Sequence, residues 1–157
     1  MNKLKAIIVD IDNVLVDSRA MQPYLPKNKF CRKAWDEYHK HYNLCTLNKD
    51  MWEIIFDLSA TFEVIFLTGR EEVISETINT RLITEKQIPS SAYRNNTLLM
   101  RKYNDYRSDH VIKEEYVKEL VKEYGIILAI DDLEANIDMF KRYNIPTALY
   151  NMNKGII

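Results

Sequence analysis

The chain has 157 residues, 46% of them hydrophobic and 29% charged, the proportions of a soluble globular protein long enough for one core. Its 22 lysines and arginines face 23 acids for a net charge of −1, which excludes a global basic field of the kind that wraps duplex nucleic acid. No apolar stretch approaches the length of a membrane span and the run before Asp10 is too short for a secretory signal. A cytoplasmic chain with no membrane contact, forming one domain over residues 1–157, is therefore expected. Cys31 and Cys45 form no CxxC pair and read as reduced thiols.

In chain order, Ala6-Ile7-Ile8-Val9 predicts a buried strand ending at Asp10. Residues 18–47 follow as an insertion with Phe30, Trp35, Tyr38 and Tyr42 on a helix, expected to form a small cap or flap over the sheet edge. Asn48-Lys49-Asp50 opens a helix through Leu58. A second strand, Val64–Leu67, ends at Thr68-Gly69-Arg70, and a helix is expected from Glu71 to Leu82. A weaker strand near Leu98–Met100 precedes an amphipathic helix from Val111 to Tyr124. The strand Ile126–Ile130 ends at Asp131-Asp132; a helix over Leu133–Tyr143 and a strand near Thr147–Leu149 complete the pattern. Such alternation predicts an α/β fold, a parallel sheet with helices on both faces.

Three strands thus end in polar residues: Asp10 with Asp12, Thr68, and Asp131 with Asp132. Ligands bind at the carboxyl ends of strands in open α/β sheets. Several carboxylates gathered there repel one another, and Mg²⁺, which accepts a few carboxylates with water and a substrate phosphate, relieves that cost. In Asp10-Ile11-Asp12 one carboxylate can attack a phosphoryl group and the other can carry the proton of the leaving alcohol and of the attacking water. Both can equally serve as turn caps. Thr68-Gly69-Arg70 offers a hydroxyl, backbone N–H groups and a guanidinium for a phosphate at a helix start, or a simple N-cap. Lys113, early in its helix, can neutralise charge that develops during transfer.

The order DIDNVL, LTGR, Lys113 and IDD resembles the haloacid dehalogenase-like phosphatases over nearly the whole chain. The segment RSDHVIKEEYVKELVKEYGIILAIDDLEANIDMFKRYNI is similar to the 3′-phosphatase domain of phage-type polynucleotide kinase–phosphatases. That resemblance implies a Rossmannoid fold, Asp10 as nucleophile, Asp12 as general acid/base, and Arg70, Asp109 and Lys113 at the phosphate. It further implies a Mg²⁺ site completed by Asp131 and Asp132 together with Asp10 and Asp12. Arg19 corresponds to a further phosphate-contacting arginine at altered spacing. Asn13 stands where glycine is usual, a position where asparagine's tolerance of left-handed backbone is useful. No GxxxxGK[ST] motif occurs, so 5′-kinase activity is not expected of this chain.

The expected substrate is a phosphorylated DNA or RNA 3′ end, and the sequence points to no obligate protein partner. Hydrolysis of a nucleotide or other small phosphomonoester is the alternative, and a non-catalytic phosphate- and Mg²⁺-binding module a third. Tyr103, Tyr106, Arg101, Lys102 and Arg107 interleave aromatic and basic residues, which suits a strand-end landing surface or a solvated loop. His39 and His41, two apart, do not share a helix face and are not expected to bind metal.

Overall fold

The structure is a computed structural model and describes residues 3–79 and 98–157. Its centre is a six-stranded sheet of β1 (Leu4–Val9), β4 (Glu63–Glu71), β5 (Leu98–Arg101), β6 (Tyr124–Asp131), β7 (Thr147–Asn151) and β8 (Gly155–Ile156). Their spatial order is β5-β4-β1-β6-β7-β8, parallel except for β8.

The apolar runs form central strands because both faces are covered. Along β1, Ile7 and Val9 pack with Met51, Trp52 and Ile55 of helix α2 (Lys49–Ser59) on one side. Ala6 and Ile8 face the other way, into a cluster with Val117 and Leu120 of α4 (Asp109–Glu123) and Met139 and Phe140 of α5 (Glu134–Arg142). In β4, Val64 and Phe66 join the first cluster and Ile65 and Leu67 the second. The chain leaves β1 toward β4 on one side and reaches β6 on the other. The end of β1 is therefore the switch point where an open sheet forms a crevice.

Residues 18–47 contain a 3-10 turn at Arg19–Tyr24, helix α1 (Arg32–Lys40) and a second 3-10 turn at His41–Leu44. A two-residue ladder closes the base of this segment, pairing β2 (Val16–Asp17) with β3 (Thr46–Leu47). Trp35 and Tyr38 lie on α1, whereas Phe30 precedes it and Tyr42 follows it. Asn48 caps α2, accepting from the Met51 N–H at 3.4 Å.

Two expected elements differ. β4 does not stop at Leu67 but runs to Glu71, so Thr68-Gly69-Arg70 lies in extended chain rather than at a helix start. The segment after it is a 3-10 turn, Glu72–Ile74, leading into α3 (Ser75–Asn79); the rest of the helix expected to reach Leu82 falls outside the described residues. Cys45 is buried and Cys31 is exposed, and neither takes part in a disulfide among the described residues. Among the described residues no helix is long and apolar enough to cross a membrane.

Candidate active site

β1 ends one residue before Asp10, whose backbone N–H still donates to Ile130 of β6 at 2.9 Å. The chain then turns sharply, with the N–H groups of Leu15 and Val16 both bonded to the Ile11 carbonyl at 2.9 and 3.0 Å. Asn13 takes the left-handed conformation (φ 56°) that this turn requires. The turn brings the Asp10 carboxyl to the end of β6, beside Asp131 and Asp132.

Lys113 binds this group together. On α4 it shares a face with Val117 and Leu120, spaced four and seven residues on, and is 1% exposed. Its Nζ lies 2.9 Å from Asp10 Oδ1, 2.8 Å from Asp131 Oδ2 and 3.2 Å from Asp109 Oδ2. One ammonium serving three carboxylates leaves negative charge in excess. Burial pushes the Asp10 carboxyl well above the usual range; Lys113 pulls it back, and Asp131, Asp109 and Asp132 push it further up. Burial likewise raises Asp132 to about 6. Burial opposes the charge on Lys113, and Asp10, Asp131 and Asp109 outweigh it, so its pKa lies above the ordinary lysine value.

Oxygens of Asp10, Asp131 and Asp132 lie within 4.8 Å of one another. Three hard oxygen donors with uncompensated charge fit a Mg²⁺-sized cation that keeps part of its water shell. The Asp12 carboxylate pairs with Arg70, whose Nε and Nη2 donate to its two oxygens at 2.8 and 2.7 Å. This bidentate pair is charge-assisted and geometrically specific. Thr68 Oγ1 lies 3.5 Å from Asp12 and accepts from the Arg70 N–H at 3.1 Å.

Arg70 is 7% exposed and stacks beneath the cap, with its guanidinium carbon 4.8 Å from the Tyr38 ring centre and 5.4 Å from that of Tyr42. Burial works against its charge and Asp12 more than offsets it, so the group stays a cation. Its Nη1 is buried and without a hydrogen bond among the described residues. Arg70 also lines the cavity above the acids, where a guanidinium can donate hydrogen bonds to an anion.

Gly69 explains how Asp109 comes so close to β4. A Cβ at Gly69 would sit 1.7 Å from Asp109 Oδ1, so no other residue allows that approach. Asp109 is further held by Asn136, whose Nδ2 donates at 2.8 Å both to Asp109 Oδ2 and to Asp131 Oδ1. Asn136 is fully buried on α5 and was not among the residues expected from the sequence. The signal for it was present: asparagine four residues before Phe140 falls on the buried face of that helix.

Arg19 does not join the site. Its guanidinium is held by Asp17 two residues earlier, at 2.9 and 3.1 Å from Nε, and by Asn153 at 2.8 Å. The basic residues before α4 are also engaged: Lys102 with Glu72, and Arg107 with Asp105 and Glu115. Arg101 donates to the Gly69, Asp105 and Arg107 carbonyls and so shapes the 102–108 loop. Above the acids lies a cavity of about 460 Å³ whose upper walls include Leu25, Lys29, Trp35, Tyr106 and Leu133.

A six-stranded Rossmannoid sheet bearing this constellation is the fold of the haloacid dehalogenase-like hydrolases. A member of that class from Bacteroides thetaiotaomicron, solved with magnesium and inorganic phosphate, superposes with TM-score 0.61 at 12% identity over 96% of each chain. A haloacid dehalogenase-like hydrolase from Streptococcus pneumoniae gives 0.58 at 13% identity over 92% of this chain and 83% of its own. The sequence matches the Polynucleotide kinase PNKP phosphatase domain over residues 4–153, and the chain belongs to that phosphatase family. Two solved chains, from a Pnkp1/Rnl/Hen1 complex and a Pnkp1/Rnl/Hen1 RNA repair complex, are each 28% identical, with TM-scores 0.68 and 0.67 over 94% and 95% of this chain. This chain spans 46% and 43% of theirs. No curated protein matches it.

Proposed function

We propose that this chain is a Mg²⁺-dependent phosphohydrolase that removes 3′-phosphates from polynucleotide ends through a phosphorylated Asp10. The observation that carries the reading is Asp10 itself: a buried carboxylate fixed by Lys113 at the floor of a cavity, with Asp12 two residues on and clamped by Arg70. An Asp10 oxygen attacks phosphorus while the bond to the substrate's 3′ oxygen breaks, and Asp12, released from Arg70 and protonated from solvent, gives that proton to the leaving oxygen. Water then attacks the aspartyl-phosphate, Asp12 takes its proton, and phosphate leaves with Asp10 restored.

The pairing of Arg70 with Asp12 gives the sequence of events a physical basis. An arriving phosphoryl group competes for the same guanidinium, and Asp12, once released, is free to exchange protons. Lys113 offsets the charge that builds on the transferring group. Asp10, Asp131 and Asp132 would hold the Mg²⁺, which supplies charge stabilisation to the phosphoryl oxygens.

The polynucleotide assignment rests on family membership and on a cavity larger than a phosphoryl group requires, walled by Trp35 and Tyr106. One observation favours a smaller substrate, a 3′-nucleotide: Lys102 and Arg107 are already paired with acids, which leaves them less available to a phosphate backbone. Phosphate release with Mg²⁺ separates the two, using a 3′-phosphorylated oligonucleotide, its 5′-phosphorylated twin and a 3′-mononucleotide. Preference for the first is expected. Preference for the mononucleotide would move the enzyme to nucleotide hydrolysis, and no release from any would leave only a binding module. Asp10→Asn should lower turnover by roughly 10⁴–10⁶-fold, the scale seen when a nucleophile is removed. Near-native rates in that variant would exclude a covalent intermediate on Asp10.

A further inference from the structure

Of the three acids that meet at the strand ends, Asp10 and Asp131 are held by the Lys113 ammonium. Asp132 is held differently. Among the described residues its one side-chain hydrogen bond comes from Asn13, whose Nδ2 donates to Asp132 Oδ2 at 3.1 Å. The opposite end of the same amide, Oδ1, accepts from the Ser18 N–H at 3.3 Å and from Ser18 Oγ at 3.0 Å. Ser18 is buried and opens the cap segment. These partners determine which way the amide points, because reversing it would set an oxygen against a carboxylate and an NH₂ against a backbone N–H.

The backbone at Asn13 is left-handed, a conformation glycine adopts without cost and asparagine tolerates. If the turn were the whole requirement, glycine would meet it better. The side chain, however, ties three things together: the turn after β1, the first residue of the cap and the acid Asp132. We propose that Asn13 is a positioning residue that acts through Asp132, holding that carboxylate within reach of Asp10 and Asp131 for a divalent cation, and anchored for that task by Ser18. The inference rests on the phosphohydrolase reading in one respect, that the acid trio holds Mg²⁺.

Asn13→Gly separates the two roles, since it keeps the turn and deletes the amide. Mg²⁺ binding measured by calorimetry without substrate should weaken by roughly 10–100-fold, the usual effect of removing a group that orients a metal ligand. The Mg²⁺ concentration for half-maximal phosphate release should rise in parallel, with little change in KM for substrate at saturating Mg²⁺. Unchanged Mg²⁺ affinity in a folded Asn13→Gly protein would overturn the proposal and leave Asn13 a turn residue only. Should Asn13→Gly fail to fold, Ser18→Ala decides. It removes one of the two bonds anchoring the amide and should weaken Mg²⁺ binding in the same direction by less, while native affinity would overturn the proposal. No Mg²⁺ binding by the unaltered protein would remove both this inference and the metal-dependent reading. Normal binding without phosphate release would instead remove the activity alone.

Discussion

Lys113 is the residue on which the site's electrostatics turn. A buried lysine without partners would shed its proton, and two buried aspartates with a half-buried third would repel one another without a cation. Each makes the other tolerable. Removing one member of such a group leaves uncompensated buried charge, which costs about 3–5 kcal/mol. Lys113→Met, which keeps the stem's packing against Val117 and Leu120, should therefore lower stability by that amount in a chelating buffer. Urea denaturation checks this, and an unchanged midpoint would mean that Asp10, Asp131 and Asp109 relax without it. Lys113 was legible from the order of the motifs. Asn13's hold on Asp132 was not, because a neutral amide bonded to an acid from a distant element leaves no mark in spacing, and Asn136 showed only its place on the buried face of α5, not its acid partners.

Helix α1 is the element that joins the cap to the site. Arg32 at its start pairs with Glu71 at the end of β4 at 2.6 Å and stacks on Tyr103. Tyr38 and Tyr42 cover Arg70. Between them lies His39, 7% exposed, whose pKa is lowered to about 4 first by burial and then by Arg70 and Arg32. A histidine depressed in the folded state binds its proton more readily once unfolded, so its contribution to stability is present above pH 6.5 and is lost as pH falls toward about 4. The carboxylates titrate in the same window, Asp132 with the opposite sign, so a difference isolates the histidine. The unaltered protein should lose more stability than His39→Gln between these pH values. Parallel pH profiles for the two in urea unfolding would place His39 in a more solvated position than the structure gives it. The insertion and its aromatic content were legible in the sequence. The place of Thr68-Gly69-Arg70 within a strand was not, because the pairing of Glu71 with Arg101 that prolongs β4 is a long-range contact.

At the scale of the whole molecule, the parallel sheet delivers carboxylates from β1, α4 and β6 to one crevice and covers them with the cap. The fold is thus carrying repulsion that a divalent cation would relieve. Any ligand bound by the native state alone stabilises it, by about 2.7 kcal/mol at a hundred times its dissociation constant. Mg²⁺ should raise Tm in a concentration-dependent way that a chelator reverses, with Asp131→Asn showing a smaller rise. Equal shifts in both proteins would place Mg²⁺ binding elsewhere on the chain.

By itself the sequence determined most of the elements and marked the acids, the lysine and the arginine as candidates for the site. Apolar runs long enough to be covered on both faces specify parallel strands, and polar residues at their ends fall on one edge of the sheet. Tertiary structure alone decided the long-range pairings: Lys113 takes Asp10 and Asp131, and Arg70 takes Asp12. Those pairings depend on ångström-scale distances between groups as far as 103 residues apart, such as Lys113 and Asp10. Such distances are set by the packing of helices on both sheet faces rather than by any local pattern in the chain.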